Sequence, residues 1–146
     1  MKRRMGVGIV VLTTMALLIG LMGVASVSAT KKKGSEGCTP GYWKVDVHLD
    51  SWAGTGYSPD QKFDTVFEDA FGEQTLLEVL WNGGGGLEAL GRHTVAALLN
   101  SASGGVDYPY STAMVIGTFN GVYPGGNYEG VKNIFAGFNE LGCPLN

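Results

Sequence analysis

Residues 87–102 read LEALGRHTVAALLNSA, and the fold turns on how they are read. Leu87, Leu90, Val95, Leu98 and Leu99 recur at helical spacing, so the stretch is expected as a helix with one buried stripe. Gly104-Gly105 stops it downstream, and the glycine run 83–86 separates it from what comes before. Working toward the N-terminus, residues 73–81 carry Leu76, Leu77 and Leu80 as a second apolar stripe that ends at Asn82 and Gly83. Before them, Ser58-Pro59-Asp60 has the chemistry of a helix start, and Phe63, Val66, Phe67 and Phe71 follow at helical spacing up to Gly72. Tyr42-Trp43-Lys44-Val45, after the turn-forming Cys38-Thr39-Pro40-Gly41, is expected to be extended.

Toward the C-terminus, Tyr108-Pro109-Tyr110 is extended, because proline disfavours helix in the residue before it. Ser111 is placed to cap a helix through Met114, Val115, Ile116 and Phe119, and a Gly/Pro loop covers residues 120–127. A last helix is expected over residues 128–141, with Val131, Ile134, Phe135, Phe138 and Leu141 on its apolar face. No run alternates at period two over six or more residues. The expectation is an all-α domain of four to five short helices, with Gly-rich loops and short extended segments.

The N-terminal end has a different character. Lys2, Arg3 and Arg4 precede an uncharged apolar stretch, and Val27-Ser28-Ala29 puts small residues where a signal peptidase needs them. Residues 1–29 therefore read as a signal peptide, with Thr30 as the new N-terminus. Residues 30–37 read as a polar linker and 38–146 as one globular domain. The apolar stretch is also long enough to stay as an uncleaved membrane anchor, the only membrane contact expected. Arg3-Arg4-Met5-Gly6 further admits a pilin-like leader that would keep residues 7–29 as a filament helix.

Loss of the leader removes three of the ten basic residues and none of the 13 acidic ones. Such a balance repels phosphate backbones and argues against nucleic acid as a partner. All 15 Phe, Trp and Tyr residues lie beyond the leader, so the exported part is equipped to fold. Its two cysteines, Cys38 and Cys143, stand near its opposite ends. An even cysteine count in an exported chain points to a disulfide, and only one pairing is open within the chain. It would close a loop of about 105 residues and tie the termini together.

The stretch from Gly37 through Lys44, GCTPGYWK, resembles the signature of an uncharacterised domain of secreted and cell-surface proteins of bacteria and archaea. Further landmarks are similar to that group: Trp52, Tyr57-Ser58-Pro59, Thr75-Leu76-Leu77, the glycine run, Arg92-His93, Ala96-Ala97-Leu98-Leu99-Asn100, and Asn139-Glu140-Leu141-Gly142-Cys143-Pro144-Leu145. Such sequences often continue Lys-Asn-His after the Tyr-Trp, whereas here Val45-Asp46 follow Lys44 and the first histidine is His48. The resemblance implies a location outside the cell and a single fold unit, and it brings no activity with it.

Candidate chemistry is sparse. If residues 46–50 are extended, Asp46, His48 and Asp50 share a face and could converge on a cation; a surface segment with a wet polar side reads the same way. With two histidines in the chain, a three-histidine zinc site is excluded. His93, on the strongest helix, is expected partly buried with a hydrogen-bond partner rather than catalytic. H-E-x-x-H, G-x-S-x-G and a phosphate loop are all absent, and no cofactor is expected. The acids Asp60, Asp64, Glu68, Asp69 and Glu73 read as a solvated face. Trp43 and Trp52 are expected in the core, and Tyr108, Tyr110 and Tyr123, placed in loops, as an interface or sugar-stacking surface.

The reading that follows is an exported, non-catalytic structural or interaction domain of the cell surface or extracellular space. Its partners would be copies of itself, other surface proteins or glycans. A carbohydrate- or metal-binding module, a small secreted hydrolase and a pilin-like subunit are the alternatives.

Overall fold

A computed structural model describes residues 34–145. Residues 1–29, expected as a signal peptide, an anchor or a filament helix, lie outside the described residues. The described chain is helical and, among these residues, has no strand beyond two isolated antiparallel bridges. Five α-helices form it: α1 Pro40–Lys44, α2 Leu76–Trp81, α3 Gly86–Ala102, α4 Thr112–Val122 and α5 Tyr128–Asn139. Two 3-10 helices, Asp46–Gly54 and Phe63–Thr65, lie between α1 and α2. None of the described helices is long and apolar enough to cross a membrane.

Helix α3 is the centre, with α1, α2, α4 and α5 all packed on it. It is buried on every side and not along one stripe: Ala89, Leu90, Gly91 and every residue from Thr94 to Asn100 are withdrawn from water. Small residues make this possible. Ala96 and Ala97 let neighbours approach on the sides the leucines do not cover, as expected of a helix apolar all round.

Caps fix the helix starts. Ser111 Oγ accepts from the Met114 N–H at 3.3 Å, as its position in the sequence predicts. Thr75 and Glu78 form a reciprocal capping box on α2, at 3.2 and 2.7 Å. Thr39 caps α1 through the Tyr42 N–H, with Pro40 in the first turn. The expected extended segment at residues 42–45 is thus mostly a short helix. The Thr-Pro pair that reads as a turn is also a helix start.

The helix expected after Ser58 is not formed. Ser58 Oγ donates to Asp60 Oδ1 at 2.6 Å, and no capped helix follows. The backbone instead pairs across the loop, with Phe63 N–H donating to Gln74 O at 3.0 Å and Leu76 N–H to Gln61 O at 2.8 Å. The helical spacing of the phenylalanines serves a different packing. Phe63 stacks on Phe67 at 4.6 Å and meets Phe71 and Phe119 edge-on at 4.9 and 5.2 Å, which pins this segment to α4.

Cys38 and Cys143 are joined as a disulfide. Residues 34–37, expected as the end of a polar linker, are docked beside it. Glu36 exchanges hydrogen bonds with the Asp107 backbone at 3.1 and 2.7 Å, and Gly37 N–H donates to Gly142 O at 2.9 Å. Gly37 has to be glycine for this close approach, because a Cβ there would stand 2.0 Å from the Phe138 carbonyl oxygen.

Candidate functional site: a buried clasp and an exposed tryptophan

The proposed cation site at Asp46, His48 and Asp50 does not assemble. These residues lie in the 3-10 helix Asp46–Gly54, where three residues make a turn, so positions two apart point to different sides. Asp46 and Asp50 are exposed, while the His48 ring stacks on Tyr42 at 4.1 Å between centroids. Among the described residues no group of three or more His, Cys, Asp or Glu side chains is placed to hold a metal ion.

Of the three tyrosines expected at a surface, Tyr108 needs correction. Tyr108 is fully buried despite its loop position and cannot stack on a sugar. Burial holds its hydroxyl well above the usual tyrosine range, so it stays protonated and donates to Asn139 Oδ1 at 2.9 Å. Tyr110 is half-buried against Phe135 and Phe138. Tyr123 is half-buried, stacked on Phe119, and its hydroxyl donates to Asp69 O at 3.0 Å. Trp43 and Trp52 are core residues, as expected.

Tyr108 belongs to a buried polar network centred on Asn100. The Asn100 Oδ1 accepts from the Cys38 N–H and the Trp43 indole N–H, each at 3.0 Å. Its Nδ2 donates to Cys38 O at 2.8 Å and to Asn139 Oδ1 at 3.0 Å. All four hydrogen-bonding capacities of the side chain are used. Asn139 continues the chain, its Nδ2 donating to the His93 carbonyl at 3.0 Å. Trp52 Nε1 donates to Trp43 O at 3.0 Å. One side chain on α3 thus holds the Cys38 backbone on both sides, next to the disulfide that joins it to the C-terminal end. Tyr42 adds a second tie, its hydroxyl donating to Leu145 O at 3.1 Å while lying 2.8 Å from Ser51 Oγ.

His93 departs from expectation. Its Nδ1 is buried with no hydrogen-bond partner among the described residues. Its pKa lies below the ordinary value of 6.5, because burial disfavours the charged ring; Arg92 and Lys132 add to this and Glu140 opposes it. The unfolded chain therefore binds a proton more readily than the folded one. Stability from this group is fully present above about pH 6.5 and is lost as pH falls toward the depressed folded value. Urea midpoints at pH 5 and pH 7.5 should differ more for the wild type than for His93→Gln. Equal differences would show that His93 does not contribute.

On the surface, Trp81 stands out among the aromatics at 58% exposed. It ends α2, and the Gln74 and Asn82 carboxamides bracket that helix with a reciprocal pair at 3.0 and 2.9 Å. Arg92 reaches across from α3 and donates to Asn82 O at 2.6 Å and Gly84 O at 2.9 Å, which fixes the start of the glycine run. Lys44, at the end of α1, holds its Nζ 4.3 Å from the Trp81 ring centroid. Of the basic side chains among the described residues, Lys62 is ion-paired with Glu73, and Lys132 lies 2.7 Å from Glu129. Lys44 and Arg92 have no carboxylate partner there: Lys44 lies over the Trp81 ring, and Arg92 is engaged by the Asn82 and Gly84 carbonyls.

Comparison of the chain with protein-family models, curated proteins and solved structures found no match.

Proposed function

We propose that this protein is exported and acts as a non-catalytic interaction domain at the cell surface or in the extracellular space. The observation that carries this reading is the disulfide between Cys38 and Cys143, 105 residues apart. A long-range structural disulfide suits an oxidising compartment. The basic start, apolar stretch and small-residue site of residues 1–29 supply the route. The polar side chains with the most developed buried geometry, Asn100, Asn139 and Tyr108, are engaged in holding the fold. That leaves the surface, and Trp81 on it, as the part available to a partner.

The test is to express the full chain with its own leader in a bacterial host and fractionate the culture. The protein should be recovered outside the cytoplasm with Thr30 as its first residue. Recovery from the cytoplasm with Met1 intact would reject export. Recovery in the membrane or in filaments with residues 7–29 retained would replace release by anchoring.

A further inference from the structure

We infer that His93 is an acid-sensitive latch: when its ring takes up a proton, the C-terminal turn of α5 parts from α3 and Asn139 leaves the clasp at Asn100. Such a latch acts wherever the folded domain resides, so it stands apart from export. Its parts lie in the seam between α3 and α5.

His93 meets α5 through both its backbone and its ring. Its carbonyl accepts from Asn139 Nδ2 at 3.0 Å. Its ring is half-buried, with Nδ1 withdrawn from water and without a hydrogen-bond partner. The neighbouring Thr94 Oγ1 is in the same state, and among the described residues these are the two buried side-chain polar atoms left unpaired. Such groups are rare in a packed core, so two in succession mark the least satisfied place on α3. The charged groups acting on the ring are Arg92 on α3, Lys132 on α5 and Glu140 just beyond α5. Arg92 is held in place by the Asn82 and Gly84 carbonyls. Lys132 is paired with Glu129, and Glu140 is exposed, so water and salt weaken its attraction for the ring.

A neutral ring suits this place. A protonated one brings a charge, and an Nδ1–H with no acceptor, into a buried seam near two cations. Opening the seam gives that proton water, so acid favours the open form. The element that yields is α5. Helix α3 is buried on every side, whereas Ile134, Gly137, Glu140 and Leu141 face solvent on and just beyond α5. The movement passes straight to the clasp, because Asn139 Oδ1 is the acceptor shared by Asn100 Nδ2 and the Tyr108 hydroxyl. Cys143, just beyond this turn, stays joined to Cys38, so the turn travels only a short way and is held for return. Histidine protonation biasing a two-state element in this way is how pH switches work.

The experiment is hydrogen–deuterium exchange of the oxidised protein at pH 7.5 and pH 5. It is read by mass spectrometry and corrected for the intrinsic pH dependence of amide exchange. Protection across α5 should fall severalfold at the lower pH, while α2 keeps its protection. His93→Gln, which cannot take up the proton, should protect α5 equally at both pH values. Should that variant fail to fold, the wild type decides alone: the loss of α5 protection must follow the titration of the His93 ring, read by NMR. Four results would overturn the latch: equal α5 protection at both pH values in the wild type, a matching fall in α2 and α5, an undiminished fall in a folded His93→Gln, or a loss that follows the titration of another group. None of them would disturb the export reading, which is decided by where the chain is found and where it begins.

Discussion

Replacing Cys38 and Cys143 together by alanine should lower the unfolding free energy by about 4–5 kcal/mol. The bond closes a loop of 105 residues, and a link that long removes much of the freedom of the unfolded chain. A domain of this size has a total stability on the order of 5–15 kcal/mol, so the loss is a large share of it. Cys38 is fully buried and Cys143 half-buried, so some packing is lost as well. Urea titrations of the oxidised protein, the reduced protein and the double variant provide the measurement. The latter two should share a much lower midpoint. A double variant as stable as the oxidised protein would mean that the clasp at Asn100 holds the ends without help.

The second large effect belongs to that clasp. Asn100→Leu is close to isosteric, yet it leaves the Cys38 N–H and carbonyl and the Trp43 indole N–H buried without partners. Each orphaned group costs about 1–3 kcal/mol, so a loss of at least about 3 kcal/mol is expected from the three. Tyr108→Phe is the gentler comparison. It removes one donor to Asn139 Oδ1, which still accepts from Asn100 Nδ2, so about 1 kcal/mol is expected. Chemical denaturation of both variants in the oxidised state checks the order. If Asn100→Leu cost no more than Tyr108→Phe, the network would not be the central tie. Asn100 and the disulfide act on the same residue, Cys38, so their effects should not simply add.

Much of this architecture was legible in the residues. Periodicity located α2 to α5, Ser111 marked its helix start, and two cysteines allowed a single intramolecular pair. Other features were not, for identifiable reasons. The phenylalanines at 63, 67 and 71 are spaced as in a helix, but a loop held by backbone pairing to Gln74 and Leu76 puts them into the same aromatic cluster. Periodicity reports which residues are buried, not which backbone delivers them. The two-apart spacing of Asp46, His48 and Asp50 has meaning only in an extended chain, and a 3-10 helix separates them.

The surface was harder to read than the core. Tyr108 sits in a loop beside a proline, yet it is buried because Asn139, 31 positions away, offers its hydroxyl a partner. Trp81 ends an apolar helix, yet it is exposed. Its ring meets Lys44, from a different helix, which sequence order does not show. Asn100 is likewise an unremarkable residue near a helix end until the fold brings Cys38 and Asn139 to it.

The most direct test of the whole account is the thiol state of the chain recovered outside the cell. Intact-mass spectrometry before and after alkylation, with and without reductant, reads it. The account predicts a chain beginning at Thr30 that takes up no alkylating group until it is reduced, because Cys38 and Cys143 are joined in every molecule. A chain confined to the cytoplasm, with residues 1–29 in place and both thiols free to react, would contradict it.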